Sequence, residues 1–280
     1  MRYIANAKIN FTLDIKGKRE DGYHLIDSVM QSVSLSDIVT VEKADKISVV
    51  CGDDEITGEK NIAFKAAKEF FEFTGINGGA EITIEKHIPK AAGLGGGSAD
   101  AAAVIVGLND LYKTALTPKE LADIGLKVGA DVPFCIAGGT MRATGIGEIL
   151  ETLPHFPKKH IVIVKNGEKL STKEMYEKID SGKSSILKTE DFIKCLLEGE
   201  FENALKNTGN AFQSVCDIEN IKDVAKDFGP LCVGLSGSGP SVYAIFDGQK
   251  SAKEFADHFS RNNLTPYLAE ISAFGIKETE

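Results

Sequence analysis

The segment Pro89-Lys-Ala-Ala-Gly-Leu-Gly-Gly-Gly-Ser-Ala99 constrains this chain more than any other. An alternating run, Glu81-Ile-Thr-Ile-Glu-Lys86, leads into it through Pro89, and Ala99-Asp-Ala-Ala-Ala-Val-Ile-Val, rich in small helix formers, leads out. A strand, a glycine loop and a helix in that order offer backbone N–H groups and the positive end of a helix dipole to an anion. Glycine lets the backbone come close to such an anion. Four glycines in five residues are more than a bare turn requires, which favours a phosphate cradle over plain strand–helix packing. Ser98 adds a hydroxyl beside it. Two common phosphate motifs do not fit. A dinucleotide-binding G-x-G-x-x-G begun at Gly93 meets Ser98, one begun at Gly95 meets Asp100, and no lysine follows the glycines as a P-loop requires.

A second glycine loop, Gly234-Leu-Ser-Gly-Ser-Gly-Pro-Ser241, joins two short strands. Alone it is weak, because hairpin loops are commonly glycine-rich. Together the two loops suit a polyphosphate lying where two domains meet. Near the start, Ile9, Phe11, Leu13 and Ile15 alternate with Lys8, Asn10, Thr12, Asp14 and Lys16. The pattern predicts a half-buried strand whose polar face carries Lys8 and Asn10, followed by a turn at Arg19-Glu-Asp-Gly22. Thr117-Pro-Lys-Glu120 opens a helix that buries Leu121, Ile124 and Val128 and ends at Gly129, so Asp131 falls just past a helix terminus. Another helix runs from a capping Asn61 to Gly75. The tail reads as strand (Cys232 to Leu235), strand (Ser241 to Phe246), helix (Ala252 to Ser260) and strand (Leu268 to Ala273). Clusters of helices and antiparallel strands without regular βαβ alternation indicate α+β, divided into residues 1–152 and 153–280.

The chain has 280 residues, a length that suits two domains of ordinary size. Thirty-two Lys and Arg against 41 Asp and Glu leave a net charge of −9, which argues against general binding to nucleic acid or an anionic membrane, both of which rest on basic surface. A phosphorylated small molecule needs only a local site. No stretch approaches the about 20 apolar residues of a membrane span, and the first residues lack the apolar core of a signal peptide. Five scattered cysteines with no C-x-x-C pair read as buried, reduced thiols in a cytoplasm rather than as a disulfide framework or zinc site.

These residues resemble the GHMP family of small-molecule kinases, named for galactokinase, homoserine, mevalonate and phosphomevalonate kinases. The family's central motif (Pro, three residues, Gly-Leu-Gly, two small residues, Ser or Ala) is similar to Pro89 through Ala99. Its first motif is similar to Ala7-Lys-Ile-Asn10 and its third to Gly234 through Ser241. Gly17-Lys-Arg-Glu-Asp-Gly-Tyr-His24 and Gly129-Ala-Asp-Val-Pro133 are not general to the family and resemble one branch of it, whose substrate carries a cytidine diphosphate group. The likeness is dense over residues 5–148, sparse over 160–230, and returns at 234–246. Ser98-Ala99 stands where the family usually has two serines, which removes one hydroxyl near the phosphates.

The resemblance implies a two-domain fold, with an N-terminal ATP-binding α/β domain, a C-terminal ferredoxin-like α+β domain and the active site between them. It implies an ATP-dependent kinase, with Mg²⁺ accompanying the ATP, that phosphorylates a tertiary hydroxyl of a small cytidine-diphosphate substrate in isoprenoid synthesis. Lys8 and Asp131 match the family's catalytic pair. Pro89, Lys90, Ala91, Ala92, Gly93, Leu94, Gly95, Gly96, Gly97, Ser98 and Ala99 match its ATP-phosphate loop. Asn10, Tyr23 and His24 match residues that hold the cytidine substrate, and Thr172 and Tyr176 match a less regular segment whose aromatic stacks on cytosine. No residue is assigned as a metal ligand. Without the resemblance, Lys8 reads as a solvated lysine, Asp131 serves equally to bond helix-end N–H groups, and Tyr176 serves equally as core. A catalytically silent nucleotide- or sugar-binding sensor of the same fold is the alternative, disfavoured because it has no chemical need for both Lys8 and Asp131.

Overall fold

The computed structural model describes residues 1–52, 57–168, 171–180 and 188–280. Two long strands, β1 (Arg2–Lys18) and β2 (His24–Ala44), pair antiparallel from end to end, with register shifts at three points. β3 (Ser48–Cys51) precedes α1 (Ile62–Thr74), and β4 (Gly79–Glu85) then returns to pair with both β2 and β3. Asn61 caps α1 by accepting from Ala63 N–H at 2.8 Å, and Gly75 closes it in the left-handed region at φ 68°. α2 (Gly96–Tyr112), α3 (Pro118–Val128) and α4 (Val132–Ala137) follow, with the Thr117/Glu120 capping box formed at the start of α3. Small residues let α2 lie close on the sheet: a Cβ on Gly107 would stand 2.9 Å from the Tyr3 ring. β5 (Thr140–Gly145) pairs with β2, and β6 (Ile149–Thr152) pairs with β5.

The chain then builds a second sheet. β7 (His160–Lys165) is followed by α5 (Thr172–Asp180), α6 (Thr189–Leu197) and α7 (Phe201–Lys206). The two-residue β8 (Gly209–Asn210) touches β1, and α8 (Glu219–Ala225) leads to β9 (Cys232–Leu235) and β10 (Ser241–Phe246). α9 (Gln249–Arg261), β11 (Pro266–Glu270) and β12 (Ile276–Thr279) complete the chain. The second sheet runs β11-β7-β10-β9 with every neighbour antiparallel, so the last of its strands lies beside the first. That is the ferredoxin-like order. β12 crosses back to close the edge of the first sheet along β1.

β1 departs from the half-buried strand its alternation suggests, because both of its faces are covered. Lys8, Asn10, Thr12 and Asp14 are all buried alongside Ile9 and Phe11. The second half of the chain supplies the cover and satisfies the polar groups. Asp14 accepts from the N–H groups of Lys188 and Thr189 at the start of α6, and Thr189 Oγ1 donates to Thr12 Oγ1 at 2.8 Å. A cluster of Phe11, Phe156, Phe192 and Phe201, with neighbouring ring centroids 5.0–5.4 Å apart, joins the halves on the apolar side. Each such ring stabilises the junction by roughly 1.5–3 kcal/mol through burial. Among the described residues no helix is long and apolar enough to cross a membrane.

Candidate active site

The glycine segment leaves β4, turns at Gly93 (φ 76°) and Gly95 (φ 70°), and enters α2 at Gly96. Only these two of the four clustered glycines need the left-handed region. Gly96, Gly97 and Ser98 form the first turn of α2, so the loop's second half is itself the helix N-terminus, where backbone N–H groups have no intrahelical partner. The second glycine loop backs this one. Ser236 Oγ donates to the Gly93 carbonyl at 2.9 Å, Ser241 N–H donates to the Ala92 carbonyl, and a Cβ on Gly93 would collide with the Ser236 carbonyl. Glycine at position 93 therefore permits the contact between the loops as well as the turn.

A cleft of about 850 Å³ opens between the glycine segment and the second sheet's side of the molecule. Of the residues matched to catalysis, ATP or substrate, all line it except Ala99, which is fully buried on the core side of α2; the second glycine loop lines it through Gly237 and Ser238. Lys8 reaches the cleft from β1 with its stem against Gly95, where a Cβ would stand 3.0 Å from Lys8 Cγ. Its ammonium donates to Asn10 Oδ1 at 2.9 Å and lies 3.5 Å from Asp131 Oδ2. Asp131 occupies the N-cap position of α4, yet its side chain makes no capping bond there. The carboxylate is thus not spent on the helix end and stays beside Lys8 at the mouth of the cleft. Asn10 lines the cleft with a largely fixed side chain: Oδ1 also accepts Gly237 N–H at 2.9 Å, and Nδ2 donates to Ser28 Oγ at 2.8 Å. It ties β1, β2 and the second glycine loop together around the lysine.

At the other end of the cleft His24 stacks on Tyr176, with ring centroids 4.2 Å apart and an interplanar angle of 11°. Phe212 meets the Tyr176 ring nearly edge-on at 4.9 Å. Burial, then the charge of Asp131, pushes the Tyr176 hydroxyl up to about 12. Tyr23, adjacent in sequence to His24, also lines the cleft and stands 60% exposed on its rim. Thr172 opens α5, and its Oγ1 lies 3.5 Å from Ser238 Oγ of the second glycine loop.

Asp180 was not legible as a site residue. From the last position of α5 its Oδ1 meets His24 Nε2 at 2.6 Å and its Oδ2 accepts from Lys18 Nζ at 2.6 Å. These hydrogen bonds, that from Lys18 first, hold its carboxyl below the usual range. In a neutral ring, an Nε2–H donating to Asp180 leaves Nδ1 of His24 as an acceptor. One signal was available, since Asp180 lies four residues after Tyr176 and so on the same face of a helix. No spacing rule, however, links it to His24, 156 positions away. No three His, Cys, Asp or Glu side chains converge as a metal cage among the described residues.

The combination of a glycine cradle at a helix N-terminus, a lysine–aspartate pair beside it and a ferredoxin-like second sheet defines a small-molecule phosphotransferase fold. The model of the GHMP kinases N terminal domain matches residues 61–139, and that of the GHMP kinases C terminal region matches residues 192–264. The chain belongs to the GHMP kinase family. It is 44% identical over 263 residues to a 4-diphosphocytidyl-2-C-methyl-D-erythritol kinase of Clostridium tetani, covering 90% of this chain and 93% of the relative. The enzyme of that name from Caldanaerobacter subterraneus subsp. tengcongensis is 42% identical, over 92% of both chains. Among solved structures, a 4-(cytidine 5'-diphospho)-2C-methyl-D-erythritol kinase superposes with a TM-score of 0.78 at 30% identity, covering 97% of this chain and 99% of that one. A homoserine kinase from Cytophaga hutchinsonii reaches the same TM-score at 20% identity over 99% of this chain and 96% of its own, a likeness of fold.

Proposed function

We propose that this chain transfers the γ-phosphoryl group of ATP to the 2-hydroxyl of 4-diphosphocytidyl-2-C-methyl-D-erythritol, giving the 2-phosphate and ADP, in the non-mevalonate route to isoprenoids. The observation that carries this reading is one cleft in which the Lys8–Asp131 pair lies between a glycine cradle and the stacked His24–Tyr176 rings. Phosphoryl transfer asks a protein mainly for positioning and charge neutralisation, and each part of the cleft has such a task.

In this mechanism the N–H groups of the glycine segment and the first turn of α2 hold the triphosphate. Asp131 accepts the hydrogen bond of the substrate's hydroxyl and takes its proton as oxygen bonds to the γ-phosphorus and the bond to ADP breaks. Lys8, fixed by Asn10, offsets the charge that grows on the transferred group. The cytosine ring is held at the His24–Tyr176 end, with Nδ1 of His24 as acceptor for the exocyclic amine and the aromatic faces for stacking. Tyr23 lies on the rim, free to cover the base from outside. Magnesium would enter with the co-substrate as Mg·ATP, where its charge would help neutralise the phosphates held by the loop.

ADP release tests the reading directly, with Mg·ATP and 4-diphosphocytidyl-2-C-methyl-D-erythritol offered beside homoserine, mevalonate and galactose. Turnover confined to the cytidine compound is expected. Turnover with another alcohol alone overturns the assignment of substrate, and turnover with none overturns the kinase reading.

A further inference from the structure

Beneath the glycine segment lies a chain of three charged side chains that the mechanism above does not use. Asp37, on β2, is fully buried, and its Oδ1 accepts the N–H groups of His87 at 2.6 Å and Ile88 at 2.8 Å, the last two residues before Pro89. Its Oδ2 accepts from Lys86 Nζ, and the same ammonium donates to Asp100 Oδ2 at 2.7 Å. Asp100 is buried in the first turns of α2, just past Ser98. One continuous chain of hydrogen bonds thus ties the strand-side entrance of the phosphate loop to its helix-side exit. The ammonium also sits under the point where the loop becomes helix, since a Cβ on Gly96 would lie 3.4 Å from it.

Packing alone does not account for this arrangement. Burying ionised groups is costly, and well-packed apolar residues of similar volume generally stabilise a fold as well or better. Two acidic side chains face one ammonium at the floor of the cleft, which Lys86 and Asp100 themselves help to line. Among the described residues Asp100 Oδ1 is moreover buried without a geometrically formed hydrogen bond, a feature that packing alone does not call for.

We propose that Asp37, Lys86 and Asp100 form a two-ended clamp that presets the phosphate loop for ATP, with Lys86 as its central positioning residue. This rests on the kinase reading. The clamp fixes both ends of residues 89–95 at once, so the backbone N–H groups of the loop face the cleft before the nucleotide arrives and little ordering entropy is left for binding to supply. Raised by burial first and by the charge of Asp37 second, the Asp100 carboxyl sits at about 8, so near neutral pH the cluster carries one negative charge fewer beneath the phosphates.

The test is direct ATP binding by calorimetry, without the second substrate, together with KM for each substrate, kcat and the melting temperature. Lys86→Met is expected to weaken ATP binding by ten- to a hundredfold while KM for the cytidine substrate stays within threefold. Hydrogen exchange of residues 89–97 should quicken in the ligand-free variant and slow again at saturating ATP. Should Lys86→Met fail to fold, Asp100→Ala cuts only the helix-side tether and leaves Lys86 paired with Asp37; at least tenfold weaker ATP binding is expected there too. A folded variant with unchanged ATP affinity, or one whose only change is a lower melting temperature, overturns the clamp. Absence of ATP binding in the unaltered protein overturns the kinase reading instead, so the two failures are distinguishable.

Discussion

Replacing Lys8 by Met separates the catalytic from the structural meaning of the lysine, because the structure predicts opposite outcomes for activity and stability. The substitution keeps most of the buried stem and removes the ammonium. At 3.5 Å from Asp131, and at an effective dielectric near 20, the Coulomb attraction lost is about 5 kcal/mol, offset by the desolvation that the buried ammonium no longer suffers. Neither partner is stranded. Asn10 Oδ1 keeps the Gly237 N–H at 2.9 Å, and the Asp131 side chain is 34% exposed and can be hydrated. Net stability should therefore move by less than roughly 1 kcal/mol in either direction, or about 2–4 °C in melting temperature. Turnover should respond quite differently. Removing one group aimed at charge that develops in the transition state typically costs about 10²–10³ in kcat. Steady-state kinetics at saturating Mg·ATP, with a thermal melt of the same preparation, read both quantities. A kcat within tenfold of the unaltered protein would refute the reasoning, and so would a fall in kcat explained by unfolding.

Gly93→Ala places a side chain in the left-handed region, at roughly 1–2 kcal/mol, and also drives a Cβ into the Ser236 carbonyl; a melting temperature lowered by several degrees and a raised KM for ATP should follow, and an unchanged melt would refute the contact between the loops. Asp180→Ala should raise KM for the cytidine substrate about tenfold with KM for ATP unchanged, because His24 loses the partner that sets its ring and tautomer; equal KM values would remove Asp180 from substrate recognition. Asp100 supplies a pH prediction. Its carboxyl titrates near 4 when unfolded and at about 8 when folded, so between those values the folded state binds more protons and stability falls as pH rises. Relative to Asp100→Asn, the unaltered protein should lose stability across that window by up to about tenfold in the folding equilibrium per pH unit. Lys86, itself shifted upward, titrates outside it. Urea melts at pH 5 to 8 that run parallel for the two proteins would contradict this.

What could be read from the chain depended on how far apart the interacting residues lie. The caps at Asn61 and Thr117 are made within three residues, and the structure forms both as the local pattern requires. The phosphate cradle was legible for the same reason, although the roles of its glycines divide: Gly93 and Gly95 turn the chain, whereas Gly96 and Gly97 are already helical. The second glycine loop looked like another grip on the polyphosphate. It lines the cleft through Gly237 and Ser238, but it also spends Ser236 and the bare face of Gly93 on holding the first loop.

The strand carrying Lys8 shows why the rest was hidden. Alternation reports which residues one face of a strand offers to a core; it cannot report that a second sheet will dock on the other face. Here it does, and the supposedly solvated Lys8, Asn10, Thr12 and Asp14 become a buried polar layer in which Asn10 and Asp131 hold Lys8 while the other three draw partners from residues 188, 189 and 237. Buried polar groups without such partners would weigh heavily against the fold, so those long-range bonds are a condition of the two halves meeting at all. The condition also serves chemistry: a lysine in contact with water all round is a poor electrostatic device, while one fixed by Asn10 in a water-poor floor acts with less screening on whatever charge develops above it. Docking the second sheet and strengthening the field at Lys8 are therefore one event, which a reading of β1 in isolation could not contain.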